Sequence, residues 1–330
     1  MRRGLITSVP VGIALLVDLE LDSAVAGAVS MGAFLAGFVA FEAPPLTRAR
    51  WQVLTAPAIG AAAALGALTG ETVWLAVPAM VFVSACLGLA GAVSRRLAIA
   101  GLNVVLALLL AQGLGIDPSQ APEALLLGGA GAASQALLTL LGLLWDRQAG
   151  DPERGPDLRT AVATLRVSLV ADSPMLRHAL RWSVALGVGT AVYHVVDLGP
   201  HGYWIPLTIL FVLRPTPGET AERIAMRAAG TVAGIAIAIA LAGIVDDYRV
   251  VDAVVIAIAA GLAFALLAIE YALFTAAITA YIVLVTHALG QSAFQAADER
   301  AIGTAGGLGI VILLVLIWDG PGALTPRRGG

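Results

Sequence analysis

The chain has 330 residues, of which 59% are hydrophobic and only 12% charged, with a formal net charge of -3 and a mean hydropathy of +0.91. An average soluble domain is about 25% charged, so this chain has too little polar surface to coat a water-soluble particle. A secreted toxin, a nucleic-acid binder and a cytosolic enzyme are excluded, and an all-α, polytopic integral membrane protein is expected.

Apolar runs approaching the roughly 20 residues a spanning helix needs fall at 4–17, 23–41, 51–69, 72–93, 97–116 and 123–145. A second set falls at 178–197, 202–213, 224–244, 249–268, 271–289 and 301–318. The pattern predicts about twelve transmembrane helices, in a six-span unit over 1–145, a cytoplasmic linker over 146–176 and a second six-span unit over 177–330. Met1-Arg2-Arg3 and the apolar run after it resemble a signal peptide. However, Asp18, Glu20 and Asp22 stand where a small-residue cleavage site belongs, so a first membrane helix is predicted there. In the linker, Asp151-Pro152-Glu153-Arg154-Gly155-Pro156 breaks regular structure. Leu158, Val162, Leu165 and Leu169 then recur at helical spacing, which suits either an interfacial amphipathic helix or a packed connector.

All 19 basic residues are arginine. With an N-terminus inside, 17 of the 19 mark the cytoplasmic face and only Arg249 and Arg300 lie outside. The positive-inside rule therefore predicts that both termini are cytoplasmic. The absence of lysine and the abundance of alanine and glycine fit a GC-rich bacterial genome and an inner-membrane location. Cys86 is the sole cysteine, so no intramolecular disulfide forms.

Residues 38–70 and 211–243 align at a constant offset of 173, with ten identities in 33 positions. These include Pro44/Pro217, Thr47/Thr220, Arg50/Arg223 and Gly70/Gly243, and Trp145-Asp146 matches Trp318-Asp319 at the end of each half. An even number of spans per repeat makes the repeats parallel, and their interface is the expected place for a pathway. Glycines at short intervals, such as Gly27, Gly32, Gly37, Gly230 and Gly234, suit close helix packing. Asn103 and Gln112 suit interhelical hydrogen bonds.

No Walker-type phosphate loop, zinc spacing or serine-hydrolase elbow is present. An ATP-driven pump within the chain is thus excluded, and no enzyme, cofactor or metal is expected. The span at 202–213 is unusually short, with Pro206 inside it and Pro215 and Pro217 after it. A broken span frees backbone groups that protein or a ligand must satisfy. Arg223 and Arg227 sit four apart on one face of the next helix.

Tyr203-Trp204, then Pro215 five residues before Thr220, the pair Thr220-x-x-Arg223, Arg227-x-x-Gly230-Thr231 and Gly234, resemble the signature of the fusaric acid resistance protein-like family. Asp298-Glu299-Arg300-Ala301-Ile302-Gly303-Thr304 resembles that family's last-span pattern. The resemblance covers 201–234 densely and implies kinship with bacterial aromatic acid exporters and, distantly, with plant malate-activated anion channels. The first half departs from it: Leu54 stands at the second arginine, Pro57 at the glycine, and no Tyr-Trp precedes Phe38. Many family members also carry a large soluble domain, for which this linker is too short.

Candidate substrate-binding residues are Tyr203, Trp204, Arg214, Thr220, Arg223 and Arg227. Guanidinium groups pair with carboxylates, and the aromatics offer a stacking platform. The alternative roles are positive-inside anchoring, pairing with Glu219 or Glu222, and belt aromatics. His194 and His287, near outer span ends, are candidates for proton coupling or for hydrogen-bonded packing. Glu270, between two spans with hardly any loop, is a turn residue or a gating carboxylate. The expected function is a secondary transporter exporting small hydrophobic or aromatic organic anions, proton-coupled. The alternatives are a passive anion channel and a non-transporting envelope scaffold. The expected partners are the lipid bilayer and the organic anion, with no nucleic acid; large apolar faces suit either lipid or a homo-oligomer.

Overall fold

The computed structural model describes residues 24–142, 158–170, 173–196, 198, 201–245, 249–267, 269–288, 290–320 and 323. Among them the regular structure is entirely helical. The first half contributes α1 (Ala24–Phe38), α2 (Pro45–Thr69), α3 (Val73–Ala90), α4 (Arg95–Gly113) and α5 (Ala121–Leu141), the last entered through a 3₁₀ turn at Pro118–Gln120. After α6 (Leu158–Ser168) come α7 (Pro174–Val195), α8 (Trp204–Val212), α9 (Pro217–Val245), α10 (Arg249–Leu266), α11 (Tyr271–Ala288) and α12 (Ala293–Asp319). The apolar run at 4–17, Trp145-Asp146 and the breaker run at 151–156 lie outside the described residues.

Seven of these segments are long and apolar enough to cross a membrane: α2, α3, α4, α5 with its 3₁₀ entry, Pro217–Gly243 of α9, α11 and α12. The chain is therefore a polytopic helical membrane protein. Its helix ends follow local chemistry. Ser94 accepts a hydrogen bond from Leu97 N–H at the start of α4 and Ser292 one from Gln295 N–H at the start of α12, each satisfying an orphan donor of a first turn. Proline at the first positions of α2 and α7 costs nothing, because its missing N–H would have no helical partner there.

Several helices extend past the apolar runs that announce them. α2 begins at Pro45, α9 at Pro217 and α12 at Ala293, so Arg48 and Arg300 lie within helices rather than in loops, and Arg223 and Arg227 lie on α9 as expected. Apolar-run boundaries stop at the first charge, whereas the helix continues wherever neighbouring protein encloses that charge. The assignment of Arg300 to an outer loop is thereby corrected: it sits in the second turn of α12 and is 1% exposed.

Within the first half α1 packs on α5, α2 on α4 and α5, and α3 on α4. Within the second, α8 packs on α12, α9 on α11 and α12, and α10 on α11. Between the halves α3 packs along α7, and Tyr203 at the head of α8 lies against Gly113 at the end of α4. Phe34 and Phe38 of α1 meet Tyr281 and Phe274 of α11, with ring centroids 5.8 and 6.1 Å apart. Gln112 bridges α4 to Thr69 Oγ1 and Ala76 O, as expected. Asn103 instead donates to Ile99 O of its own helix.

Glycines set these approaches. A Cβ on Gly32 would lie 2.2 Å from Gly128 O, on Gly60 2.3 Å from Leu125 O, on Gly230 2.5 Å from Ala272 O and on Gly303 2.3 Å from Trp204 Cβ. Without a hydrophobic force between helices in lipid, such close backbone packing supplies the attraction. Gly303→Ala is expected to cost about 1–3 kcal/mol through overpacking, lowering the thermal midpoint of the detergent-purified protein. Gly309→Ala, where nothing lies within 4 Å, is expected to leave it unchanged or slightly raised.

Candidate functional site

α8 has 9 residues and so spans about 13 Å, under half of a hydrocarbon core of about 30 Å. Its turn into α9 is held by side chains. Arg214 N–H donates to Thr220 Oγ1 (3.1 Å), Thr220 Oγ1 donates to Thr216 O (2.9 Å), and Thr216 Oγ1 accepts from Glu219 N–H (3.3 Å). From α7, the buried Arg181 donates to the carbonyls of Arg214 (2.6 Å) and Pro215 (2.9 Å) and ion-pairs with Asp319 at the end of α12. One guanidinium thus ties α7, the α8–α9 turn and α12 together. Arg214 is crowded at this end: burial and then the Arg223 charge pull it below the usual arginine range, against Tyr271 and Glu219.

Beyond this clamp, arginines from two helices converge on the interior. The Arg223 guanidinium carbon stands 4.0 Å from the centroid of the Tyr271 ring. One turn further along α9 is Arg227, about 15 Å from the start of that helix. Arg300 approaches from α12 with its guanidinium carbon 4.3 Å from the centroid of Trp204. Arg227 and Arg300 are each 1% exposed and lie within Coulombic reach of one another. All three guanidinium nitrogens of Arg300, and Nε and Nη2 of Arg227, lack a hydrogen-bond partner among the described residues. Neither arginine takes part in the ion pairs that those residues form.

Each of the four surrounding helices repeats one pattern, a recognition side chain followed by threonine four residues later. The pairs are Trp204/Thr208 on α8, Arg227/Thr231 on α9, Tyr271/Thr275 on α11 and Arg300/Thr304 on α12. The four threonines are buried and their hydroxyls carry no hydrogen bond among the described residues. Positive charge and aromatic faces adjoin here, with a threonine one turn along each helix, and no carboxylate is ion-paired with Arg227 or Arg300 among the described residues. Such a set can hold an anion with charge-assisted hydrogen bonds.

Of the residues predicted from sequence, Trp204, Arg223 and Arg227 lie together here. Tyr203 adjoins Trp204, with ring centroids 4.7 Å apart, and packs on α4. Arg214 and Thr220 form the α8–α9 turn. His194 and Glu270 stand elsewhere. The ring nitrogens of His194 face Thr190 O (2.9 Å) and Gly70 O (3.0 Å), fastening α7 to the α2–α3 turn. The Glu270 carboxylate accepts from the N–H groups of Ala272 and Leu273, capping α11. His287 Nδ1 faces Gln291 O at 3.0 Å. Arg223 forms no ion pair with Glu219 or Glu222 among the described residues; it stacks on Tyr271 instead.

Arg300 and Tyr271 were not among the sequence candidates. The available signal was the pentapeptide Arg-x-x-Gly-Thr, which occurs at 227–231 and again at 300–304. Its glycine admits a neighbouring helix: a Cβ on Gly230 would be 2.6 Å from Thr275 Cβ, and one on Gly303 2.3 Å from Trp204 Cβ. The arginine one turn earlier is thereby enclosed. In the first half, the position matching Arg227 is Leu54, which is 61% exposed.

Residues 184–314 match the family described as Fusaric acid resistance protein-like, from within α7 to within α12, enclosing the whole arginine cluster. The chain is 36% identical over 148 residues to Inner membrane protein YccS of Escherichia coli (strain K12), covering 44% of this chain and 20% of that protein. It is 37% identical over 111 residues to Uncharacterized protein slr1298 of Synechocystis sp., covering 33% of this chain and 14% of that one. The chain thus spans about a fifth or less of the length of these curated relatives. No solved structure matches it.

An unpaired buried guanidinium destabilises the empty protein, so removing it is expected to help. Arg300→Met should raise the thermal midpoint of the ligand-free protein by the equivalent of about 1–4 kcal/mol. The same change should abolish any stabilisation by added benzoate, read by thermal unfolding with and without the anion.

Proposed function

Starting from the fusaric acid resistance protein-like domain at 184–314, we propose that this chain is a secondary transporter that exports small hydrophobic or aromatic organic anions, with proton coupling. The observation that carries the reading is that Arg227 and Arg300 are both buried with guanidinium nitrogens that lack a hydrogen-bond partner among the described residues. In a membrane interior such charges are costly unless a passing or bound anion uses them. The flanking faces of Trp204 and Tyr271 favour an organic anion with an apolar or aromatic body over a small inorganic one. Binding of the anion offsets the repulsion between the two arginines, while Arg223 on the Tyr271 ring attracts it at the mouth.

The E. coli relative is named an inner membrane protein, and we place this chain in a bacterial inner membrane with both termini in the cytoplasm. Arg223 and Tyr271 then mark the cytoplasmic entry, and Trp204 and Arg300 the outer half. The helix contacts of the two halves correspond pairwise, α1·α5 to α8·α12, α2·α4 to α9·α11, and α3·α4 to α10·α11. The cross-contacts α8·α4 and α1·α11 are likewise related by exchange of halves. These correspondences support two parallel six-span repeats related about the membrane normal. The route we assign runs inside the second repeat, between α8, α9, α11 and α12, because that is where the paired arginines are.

Counterflow of labelled benzoate in proteoliposomes tests the reading. Arg227→Gln and Arg300→Gln are each expected to reduce exchange at least tenfold, whereas Arg95→Gln, with a side chain 80% exposed, leaves it unchanged. Parental exchange in both cluster variants would remove the arginines from the mechanism. Large benzoate currents across a planar bilayer, without a coupling ion, would establish a passive channel instead.

A further inference from the structure

At the other end of α8, a histidine outside the sequence candidates is placed to report protons to the arginine cluster. His201 Nδ1 is paired with Glu299 Oε2, both side chains being mostly buried, at 19% and 13% exposure. The imidazole stacks on Trp204 at 15° between planes and 6.0 Å between centroids. That indole also carries the Arg300 guanidinium. The other carboxylate oxygen, Oε1 of Glu299, accepts from Gln291 Nε2 (2.8 Å) and Gln295 Nε2 (3.1 Å). The carbonyl of Gln291 in turn meets His287 Nδ1 from the end of α11. The charged and titratable groups around His201 are therefore Glu299 and Arg300 from α12 and His287, through Gln291, from α11. Tyr203 on its own turn and Tyr193 of α7, which packs on Gly202, complete the set among the described residues.

From this geometry we infer that the His201–Glu299 pair is a proton site linked to anion binding at Arg300. The inference rests on the anion reading of the arginine cluster given above. Imidazole is the side chain that changes charge within the physiological range. With neutral imidazole the pair carries one negative charge, that of Glu299, beside the entrance to the cluster. With one proton taken up from the adjoining aqueous side, the imidazolium cancels that charge. An anion arriving at Arg300 then meets one more positive charge, a single indole away, in a low-dielectric region where charges act strongly. Proton and anion consequently favour each other's binding, and by linkage the effect is reciprocal. Glu299 is fixed by two glutamine donors, so the proton alters the charge of the pair without releasing the carboxylate from its place. The linkage therefore sets the occupancy of the anion site and does not itself drive export, which an inward proton gradient supports only by exchange of proton for anion.

The test is benzoate affinity of the full-length purified protein in mildly alkaline and mildly acidic buffer, both well above the range where benzoate itself protonates. The parent should bind about tenfold more tightly at the acidic condition, a linkage of ordinary size. His201→Gln, which cannot take the proton, should bind with an affinity that no longer varies with pH. A monodisperse elution profile and an unchanged thermal midpoint show that the variant is folded. If folding fails, Glu299→Gln is measured in its place and is expected to flatten the same dependence. A parental pH dependence in a folded variant overturns the proton site and leaves the anion site standing. A pH-independent parent also overturns the proton site. No benzoate binding by the parent at either condition overturns the anion reading, and this inference with it.

Discussion

Two guanidinium groups enclosed among transmembrane helices, without an ion-paired carboxylate among the described residues, are the constraint around which the second half is organised. A central arginine is costly in lipid, by about 2.5–3.5 kcal/mol on insertion scales, and burial inside the bundle removes the option of reaching water. The helices around Arg227 and Arg300 are therefore arranged to surround charge rather than to expel it. Trp204 and Tyr271 supply aromatic faces, four threonines supply hydroxyls, and the short α8 leaves room for both.

That enclosure depends on glycine. Arg-x-x-Gly-Thr places a guanidinium and a hydroxyl on one face of a helix and, between them along the chain, a residue with no side chain. The glycines of the two copies meet Thr275 and Trp204 at distances no other residue would permit. Close approach on both sides closes the cluster to lipid. The Arg181 clamp works at the opposite end, where one guanidinium satisfies two loop carbonyls and a carboxylate. Arg181 has its counter-ion, whereas Arg300 forms no ion pair among the described residues, although both are deeply buried. The contrast separates an arginine that holds the fold from the one proposed to take the anion.

Much of this was legible in the sequence because lipid imposes coarse rules. Apolar runs located the described membrane helices to within a few residues at most ends, and Pro206, Pro215 and Pro217 marked the short α8 and the turn after it. The errors have one physical origin. Charge was taken as a sign of loop, so α12 was begun eight residues late and Arg300 was assigned to the outside. A buried charge in a membrane helix is visible only through its protein neighbours, which a linear reading does not see. The same limit applies to the histidines. Placement near a span end singled out His194 and His287, whereas the ion pair with a carboxylate belongs to His201, whose partner is 98 residues away. The Arg-x-x-Gly-Thr pentapeptide recurs at 227–231 and 300–304, and that repetition is the linear trace of Arg300's role beside Arg227.

The central claim is that Arg227 and Arg300 hold the anion. The most direct measurement is an anomalous difference map from crystals of the protein grown with 4-bromobenzoate. The account places the bromine peak between α8, α9, α11 and α12, with the carboxylate density bridging Arg227 and Arg300. A peak at the interface between the two halves, with both guanidinium groups left uncontacted, would contradict it.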